Sequence, residues 1–237
     1  MRKFNRKNND IREISIEKNI IENSDGSCLF CIGKTKVICS ATFENEVPIW
    51  LRNKKSGWIT AEYSMLPSST STRNKRESKL GKQSGRSIEI QRLIGRSIRT
   101  VVDLTQIKGS QFILDCDVLQ ADGGTRTASV SGAFIAISLA IKKLLIQGVI
   151  KKNPIKDSIS AISCGILNNE ILVDLDYEED SRADVDANFI FSEKSGISEI
   201  QISAEKSSFS QNQVNEMIEL SKIATQKIFK AQNKIIG

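Results

Sequence analysis

The chain has 237 residues, with 39% apolar and 26% charged side chains and a net charge of +6. That length supports a sizeable core, in one large domain or two fused halves of a soluble globular protein. Histidine is absent, which excludes Ser-His-Asp and Cys-His catalysis and any His-ligated metal, and leaves proton transfer or metal binding to carboxylates.

The charge is unevenly spread. Residues 1–108 carry 21 Lys and Arg against 11 Asp and Glu, a net of +10, whereas residues 109–237 carry 13 against 17, a net of −4. A basic half suggests a polyanionic partner. The start of the chain has charge but no apolar stretch of the kind a signal peptide needs. The most apolar run, Ala128 to Ile141, stops at Lys142-Lys143 and contains Ser and Gly. It is too short to span a bilayer and is expected to be a core helix, so no membrane contact is expected. Five scattered cysteines suit reduced thiols in a cytoplasm. Cys28 and Cys31 have C-x-x-C spacing but read as plain strand residues, because no second pair follows.

In chain order, residues 11–19 alternate and predict a strand, and 28–32 with 36–43 predict a hairpin around Gly33-Lys34-Thr35. That tripeptide lacks the upstream glycine of a nucleotide loop and lies between strands. Residues 45–57 read as a loop, 58–65 as a strand, and Pro67-Ser-Ser-Thr-Ser-Thr72 as structureless by composition. From Arg73 to Arg99 there are nine basic residues against two acidic ones. A helix is expected over 87–102, with Ile90, Leu93, Ile94, Ser97 and Val101 on one face and Arg92, Arg96 and Arg99 on the other. That arginine stripe fits either a solvated face or contacts to phosphate or a second subunit.

Residues 111–119 predict a strand, then a Gly-rich turn, then a helix over 127–147 that is apolar nearly all round and hence buried. Strands are expected at 159–166, 170–176, 187–192 and 199–204, and a last helix over 210–231 with Val214, Met217, Ile218, Ala224 and Ile228 inward. The order describes a mixed α/β chain with mainly antiparallel sheets and two similar strand-helix halves, approximately 1–108 and 109–237.

Two stretches carry chemistry. Asp122-Gly-Gly-Thr-Arg-Thr127 puts flexible glycines ahead of a helix N-terminus, with Thr125 and Arg126 in its first turn. Free N–H groups, the helix dipole and a guanidinium favour an anion there, although an ordinary capped helix reads similarly. The second stretch, Glu170 to Asp186, has eight Asp and Glu in seventeen residues. It reads either as a solvated loop or as hard oxygen ligands for Mg²⁺ or Mn²⁺, with Asp184 and Asp186 alternating on an emerging strand and Asp180 just before them. One carboxylate kept protonated by its neighbours would serve as a general acid.

Six segments together resemble the ribonuclease PH family over nearly the whole chain: Ala61-Glu-Tyr-Ser-Met-Leu-Pro67, Thr72-Arg-Asn-Lys-Arg-Glu77, Gly81-Lys-Gln-Ser-Gly-Arg86, Glu89-Ile-Gln-Arg-Leu-Ile-Gly-Arg96, Asp117-Val-Leu-Gln-Ala-Asp-Gly-Gly-Thr-Arg126 and Asp174-Leu-Asp-Tyr-Glu-Glu-Asp180. The resemblance implies a ribosomal-protein-S5-domain-2-like fold and a phosphorolytic 3′→5′ exoribonuclease that trims transfer RNA precursors, with inorganic phosphate as co-substrate. It implies phosphate held by Arg86, Gly124, Thr125 and Arg126, a metal on Asp180 and Asp186, and Asp184 as general acid or further ligand. It also implies a homo-hexameric ring, a trimer of dimers, with Arg73, Arg76, Arg92, Arg96 and Arg99 toward RNA or a neighbouring subunit. Asp174, Asp176, Glu178 and Glu179 are then left as expected surface residues. The chain departs from the family at Ser68 and Ser71, where an arginine and a histidine are usual, which bears on RNA affinity and ring geometry. A non-catalytic ring subunit would have lost cleft arginines or carboxylates, and a ribosomal-protein-like RNA binder would not need the acidic cluster. With few aromatics, backbone charge contacts are expected to dominate RNA binding.

Overall fold

The computed structural model describes Arg2 and residues 5–237. Its first sheet has the strand order β1-β2-β3-β5-β4. It comprises β1 (Ile14–Lys18), β2 (Gly26–Ile32), β3 (Thr35–Glu44), β4 (Trp58–Met65) and β5 (Gln111–Gln120), antiparallel except for the β4–β5 pair. The second sheet, β7-β6-β8-β9, is antiparallel throughout. Its strands are β6 (Ile159–Leu167), β7 (Glu170–Val173), β8 (Val185–Ser192) and β9 (Gly196–Ala204).

Among the described residues five α-helices accompany the sheets: α1 (Glu77–Leu80), α2 (Gly85–Val101), α3 (Thr125–Ile146), α4 (Tyr177–Asp180) and α5 (Gln211–Ile236). The expected mixed α/β architecture of α+β type is thus present. The all-round apolar character of α3 has its cause here: it packs on β2 and β3 of the first sheet and on β6 of the second. It is long and apolar enough to cross a membrane by composition, yet most of it is buried between protein layers. One continuous apolar core runs through both sheets, so the two halves share their interior. β5 belongs to the first sheet, which places the change of sheet at α3 rather than at residue 108.

The sequence alternation in the strands becomes an inner face against α3. Cys28, Cys39 and Cys116 lie side by side across β2, β3 and β5, all fully buried and unpaired. Gly132 of α3 sits over this row, because any side chain there would meet the Cys39 sulfur. The buried Gln232 of α5 donates to the Ser131 carbonyl of α3 and the Ile159 carbonyl of β6, both at 3.0 Å, and ties three elements together.

Two expectations change. The 67–72 segment is ordered: Asn74 N–H donates to Pro67 O at 2.8 Å, Ala121 N–H donates to Ser69 O at 2.8 Å, and Ser69 is buried. β7 ends at Val173 rather than 176, because Asp174 takes a left-handed backbone (φ 56°) and turns its carboxylate inward.

At Gly26 of β2 a Cβ would collide with the backbone of α3 at Ala136 and Ala140. Gly26→Val is expected to force sheet and helix apart at a cost of about 1–3 kcal/mol, as overpacking does. Urea unfolding that leaves the midpoint unchanged would contradict this close approach.

Candidate active site

The Asp122–Arg126 turn links β5 to α3. Gly123 (φ 76°) and Gly124 (φ 67°) both take left-handed backbone. At Gly123 a side chain would strike the backbone of Leu175 and Asp176, so the turn lies directly against the acidic loop. Thr125 opens α3, and its Oγ1 accepts a 3.0 Å hydrogen bond from the Tyr63 hydroxyl of β4. No side chain caps α3, which leaves its first N–H groups directed at the turn.

Arg86 lies in the first turn of α2, whose N-cap Ser84 accepts from Ser87 N–H at 3.1 Å. Glu77 of α1 secures this start by accepting from Ser87 Oγ at 2.6 Å and Ser84 N–H at 3.2 Å. Those bonds hold the Glu77 carboxyl below its ordinary range. A cavity of about 960 Å³ opens beside Arg86 and Tyr63, walled by residues 74–78 and 80–84 and by Glu62, Asp115 and Asp117.

Asp180 ends the short helix α4 and Asp186 stands on β8, both half-buried. Burial, then the charge of Asp186, push the Asp180 carboxyl up to about 6, while Arg86, Arg126 and Arg12 pull the other way. Burial likewise raises Asp186, against the pull of Arg126 and Arg86. The same two arginines act on the Tyr63 hydroxyl, which burial raises. The structure therefore brings Arg86 and Arg126 within electrostatic reach of Asp180 and Asp186, from four separate elements. Arg126 is steered by Glu89 of α2 (3.6 Å) and Gln201 of β9 (3.5 Å).

Asp184 is engaged elsewhere. Its carboxylate takes the Asn168 N–H at 3.3 Å and faces the Lys206 ammonium at 3.9 Å. Alternation with Asp186 did not settle its partners, because β8 begins only at Val185. Among the described residues no three acidic or thiol side chains group as a cation cage, so a cation here would rest on two carboxylates with solvent or substrate oxygens completing its shell.

The expectation that Asp174, Asp176 and Glu179 lie on the surface is overturned: they are 2%, 3% and 5% exposed. Arg12 grips Asp174 with both Nε (2.9 Å) and Nη2 (2.7 Å), and its own backbone N–H donates to the same carboxylate at 2.6 Å. The guanidinium continues to the carbonyls of Asp122 and Gly123. Burial alone would lower the Arg12 pKa, but the charge and hydrogen bonds of Asp174 override it and raise it. Arg2 binds Glu179 at 2.8 and 2.9 Å, and Arg6 reaches Glu179 at 3.1 Å. Asp176 and Glu179 form a capping box on α4. These N-terminal arginines had no signal in sequence periodicity, since their partners lie more than 160 residues away.

Of the arginine stripe, Arg92 is exposed, Arg96 pairs with Glu199 of β9, and Arg99 lies over Trp58, 4.3 Å from the ring centre, donating to Ile59 O at 2.7 Å. Arg73, Arg76, Ser68 and Ser71 are exposed.

Sequence profiles of the 3′ exoribonuclease family match residues 10–143 (domain 1) and 157–224 (domain 2). The chain belongs to the 3′ exoribonuclease family. Curated proteins named ribonuclease PH from Cereibacter sphaeroides strains KD131 and ATCC 17025 are 46% and 45% identical to it over 237 residues, the full length of both partners. Among solved structures, rice (Oryza sativa) Rrp46 superposes with a TM-score of 0.81 at 18% identity over all of both chains. The Archaeoglobus fulgidus exosome with RNA bound to the active site gives 0.81 at 23%, covering 97% of this chain and 91% of that one. These neighbours share the fold. The first exoribonuclease-family domain ends inside α3 and the second begins just before β6, so the candidate site draws on both.

Two outcomes are expected from these carboxylates. Asp174→Ala leaves the buried Arg12 without its partner and should cost about 3–5 kcal/mol, read from urea midpoints; a loss below 1 kcal/mol would refute the pairing. For Asp180 the folded value of about 6 lies above the ordinary 3.8, so the folded state binds the extra proton and stability falls as pH rises between those values. Asp180→Asn removes that fall. With chelator present, the variant should gain on the parent at pH 7.5 relative to pH 4.5, and an equal difference at both pH values would exclude it.

Proposed function

We propose that the chain is a phosphate-dependent 3′→5′ exoribonuclease, a nucleotidyltransferase that trims the 3′ ends of transfer RNA precursors. The observation that carries this reading is the joint action of Arg86 and Arg126 on the half-buried Asp180 and Asp186, beside a helix N-terminus opened by two glycines. Inorganic phosphate is the nucleophile. It arrives already ionised, which suits a chain without histidine. Arg86, Arg126 and the N–H groups around Gly124 and Thr125 hold it by charge-assisted hydrogen bonds. Its oxygen attacks the terminal phosphorus, the bond to the 3′ oxygen of the penultimate nucleotide breaks, that oxygen takes up the proton the phosphate brought and becomes the 3′ hydroxyl of the shortened RNA, and a nucleoside diphosphate leaves.

Two half-buried carboxylates whose charges oppose each other suit a hard divalent cation, and Asp180 and Asp186 would hold Mg²⁺ or Mn²⁺. When bound, the ion supplies charge stabilisation to phosphoryl oxygens. Positioning remains the work of the chain itself: Tyr63 orients Thr125, Glu89 and Gln201 orient Arg126, and Arg12 fixes the turn against the acidic loop. The relatives' names and the exosome neighbours support a ring of subunits around RNA. We take it as a homo-hexamer, a trimer of dimers, with the exposed Arg73, Arg76 and Arg92 toward RNA or a neighbour. Five unpaired buried cysteines support a reducing compartment such as a cytoplasm.

Incubation of 3′-tailed RNA with Mg²⁺ should release nucleoside diphosphates only when phosphate is added. Nucleoside monophosphates without phosphate, or no product, would sink the reading. Arg86→Ala is expected to lower phosphorolysis by about 10²–10³-fold, the loss typical of one preorganised charge donor, while RNA binding largely persists. An equal loss of RNA binding would reassign its role.

A further inference from the structure

The chain contains two tryptophans, and they meet at one surface spot. Trp58 begins β4, and Trp50 sits on a 3-10 turn in the preceding loop, with ring centres 4.9 Å apart and edge-on. Arg99, near the C-terminal end of α2, lies over Trp58. Trp50 is 56% exposed and its neighbour Ile49 79%. The turn is held by backbone bonds from Leu51 N–H to Pro48 O (2.8 Å) and Lys54 N–H to Leu51 O (2.8 Å), so Trp50 is presented on an ordered element. Around it Arg52, Lys54 and Lys55 are exposed, with Glu46 the one acidic residue in the 45–57 loop.

We propose that this spot is a single-stranded RNA subsite, on which an upstream base of the substrate stacks against Trp50 while Arg52, Lys54 and Lys55 contact the backbone phosphates. It rests on the exoribonuclease reading above and extends it from the reacting end to the body of the RNA. Three features favour this occupant. The half-exposed Trp50 indole offers a π-face over which Lys54 places its ammonium 5.5 Å from the ring centre, so a stacking base would displace that ammonium toward its own phosphate, and stacking tolerates any sequence. The flanking cations outnumber the one acid and are themselves without salt-bridge partners among the described residues, which matches a polyanion. A two-fold contact between copies would instead bring the three cations of each together, like charge against like.

The placement also fits the substrate path. Arg86 opens α2 and Arg99 lies near its end, a span of about 20 Å at 1.5 Å per residue. The exposed Arg92 lies between them on the same helix. An RNA whose 3′ end is held near Arg86 therefore reaches the tryptophans only when it is several nucleotides long.

Because both tryptophans lie in the subsite, fluorescence excited at the red edge of indole absorption, where the two tyrosines do not absorb, reports on it. Full-length protein in phosphate-free buffer is titrated with oligoadenylates of four and twenty nucleotides, with binding followed in parallel by anisotropy of end-labelled RNA. The twenty-mer should quench the fluorescence and the four-mer should not. Trp50→Ser should weaken twenty-mer binding about tenfold and Trp50→Phe should largely preserve it. Lys54→Glu with Lys55→Glu, a surface charge reversal, should weaken binding and flatten its salt dependence. Binding of the twenty-mer without quenching, with affinity unchanged in both sets of variants, overturns the proposal. So does a change of oligomer mass in Trp50→Ser, which would make the spot a contact between copies. The two readings fail separately. Nucleoside diphosphate release without quenching rejects the subsite alone, and quenching without phosphorolysis of any RNA rejects the enzyme reading alone.

Discussion

The buried ion pair between Arg12 and Asp174 is the constraint on which the site depends. Arg12 enters just before β1, Asp174 directly follows β7, and the guanidinium also binds the carbonyls of Asp122 and Gly123 ahead of α3. One side chain thus joins the start of the chain, the turn that opens the central helix and the loop that leads to Asp180. An isolated charge at that depth would be prohibitive. A bidentate pair with two further donors directed at the carbonyls of Asp122 and Gly123 is tolerated, and its geometry admits few alternatives. The left-handed backbone of Asp174 follows from the same requirement, because the carboxylate must turn inward to meet both the guanidinium and the Arg12 N–H.

With the two loops fixed together, the opposition of charges at the site becomes stable. Burial pushes Asp180 and Asp186 toward their neutral forms, and Arg86 and Arg126 draw them back toward ionisation. Neither set stands near balance alone. The arginines are compensated by the carboxylates, and the carboxylates by the arginines, so the site presents both signs of charge side by side and can attract both an anion and a cation. Arg2 and Arg6 perform a similar service for Glu179, which is why the acidic run does not repel itself apart.

The basic surface divides in the same way. Arg96 faces outward on α2 as periodicity requires but is occupied by Glu199, while the half-buried Arg99 turns onto β4, over Trp58 and the Ile59 carbonyl. Arg73, Arg76 and Arg92 stay exposed for a polyanion or a second subunit. Low aromatic content pointed to binding dominated by backbone charge contacts; the fold concentrates both tryptophans at one exposed place, where content matters less than position.

What the sequence determined by itself was local. Alternation and 3.6-residue periodicity marked the strands and the three long helices α2, α3 and α5, though not the one-turn α1 and α4, and the apolar run at Ala128–Ile141 marked a buried helix, because those patterns act between near neighbours. The glycines ahead of Thr125 and the first-turn Arg126 were legible for the same reason, whereas Arg86, Asp180 and Asp186 were singled out by the resemblance to the ribonuclease PH family. Only the tertiary structure decided which charges are buried. Asp174, Asp176 and Glu179 looked like a solvated loop, since nothing within their own segment neutralises them; their partners arrive from the other end of the chain. Asp184 and Asp186, two residues apart, find different partners because the strand begins between them. A charge's fate depends on what packs against it, and that is a property of the fold rather than of the neighbouring letters.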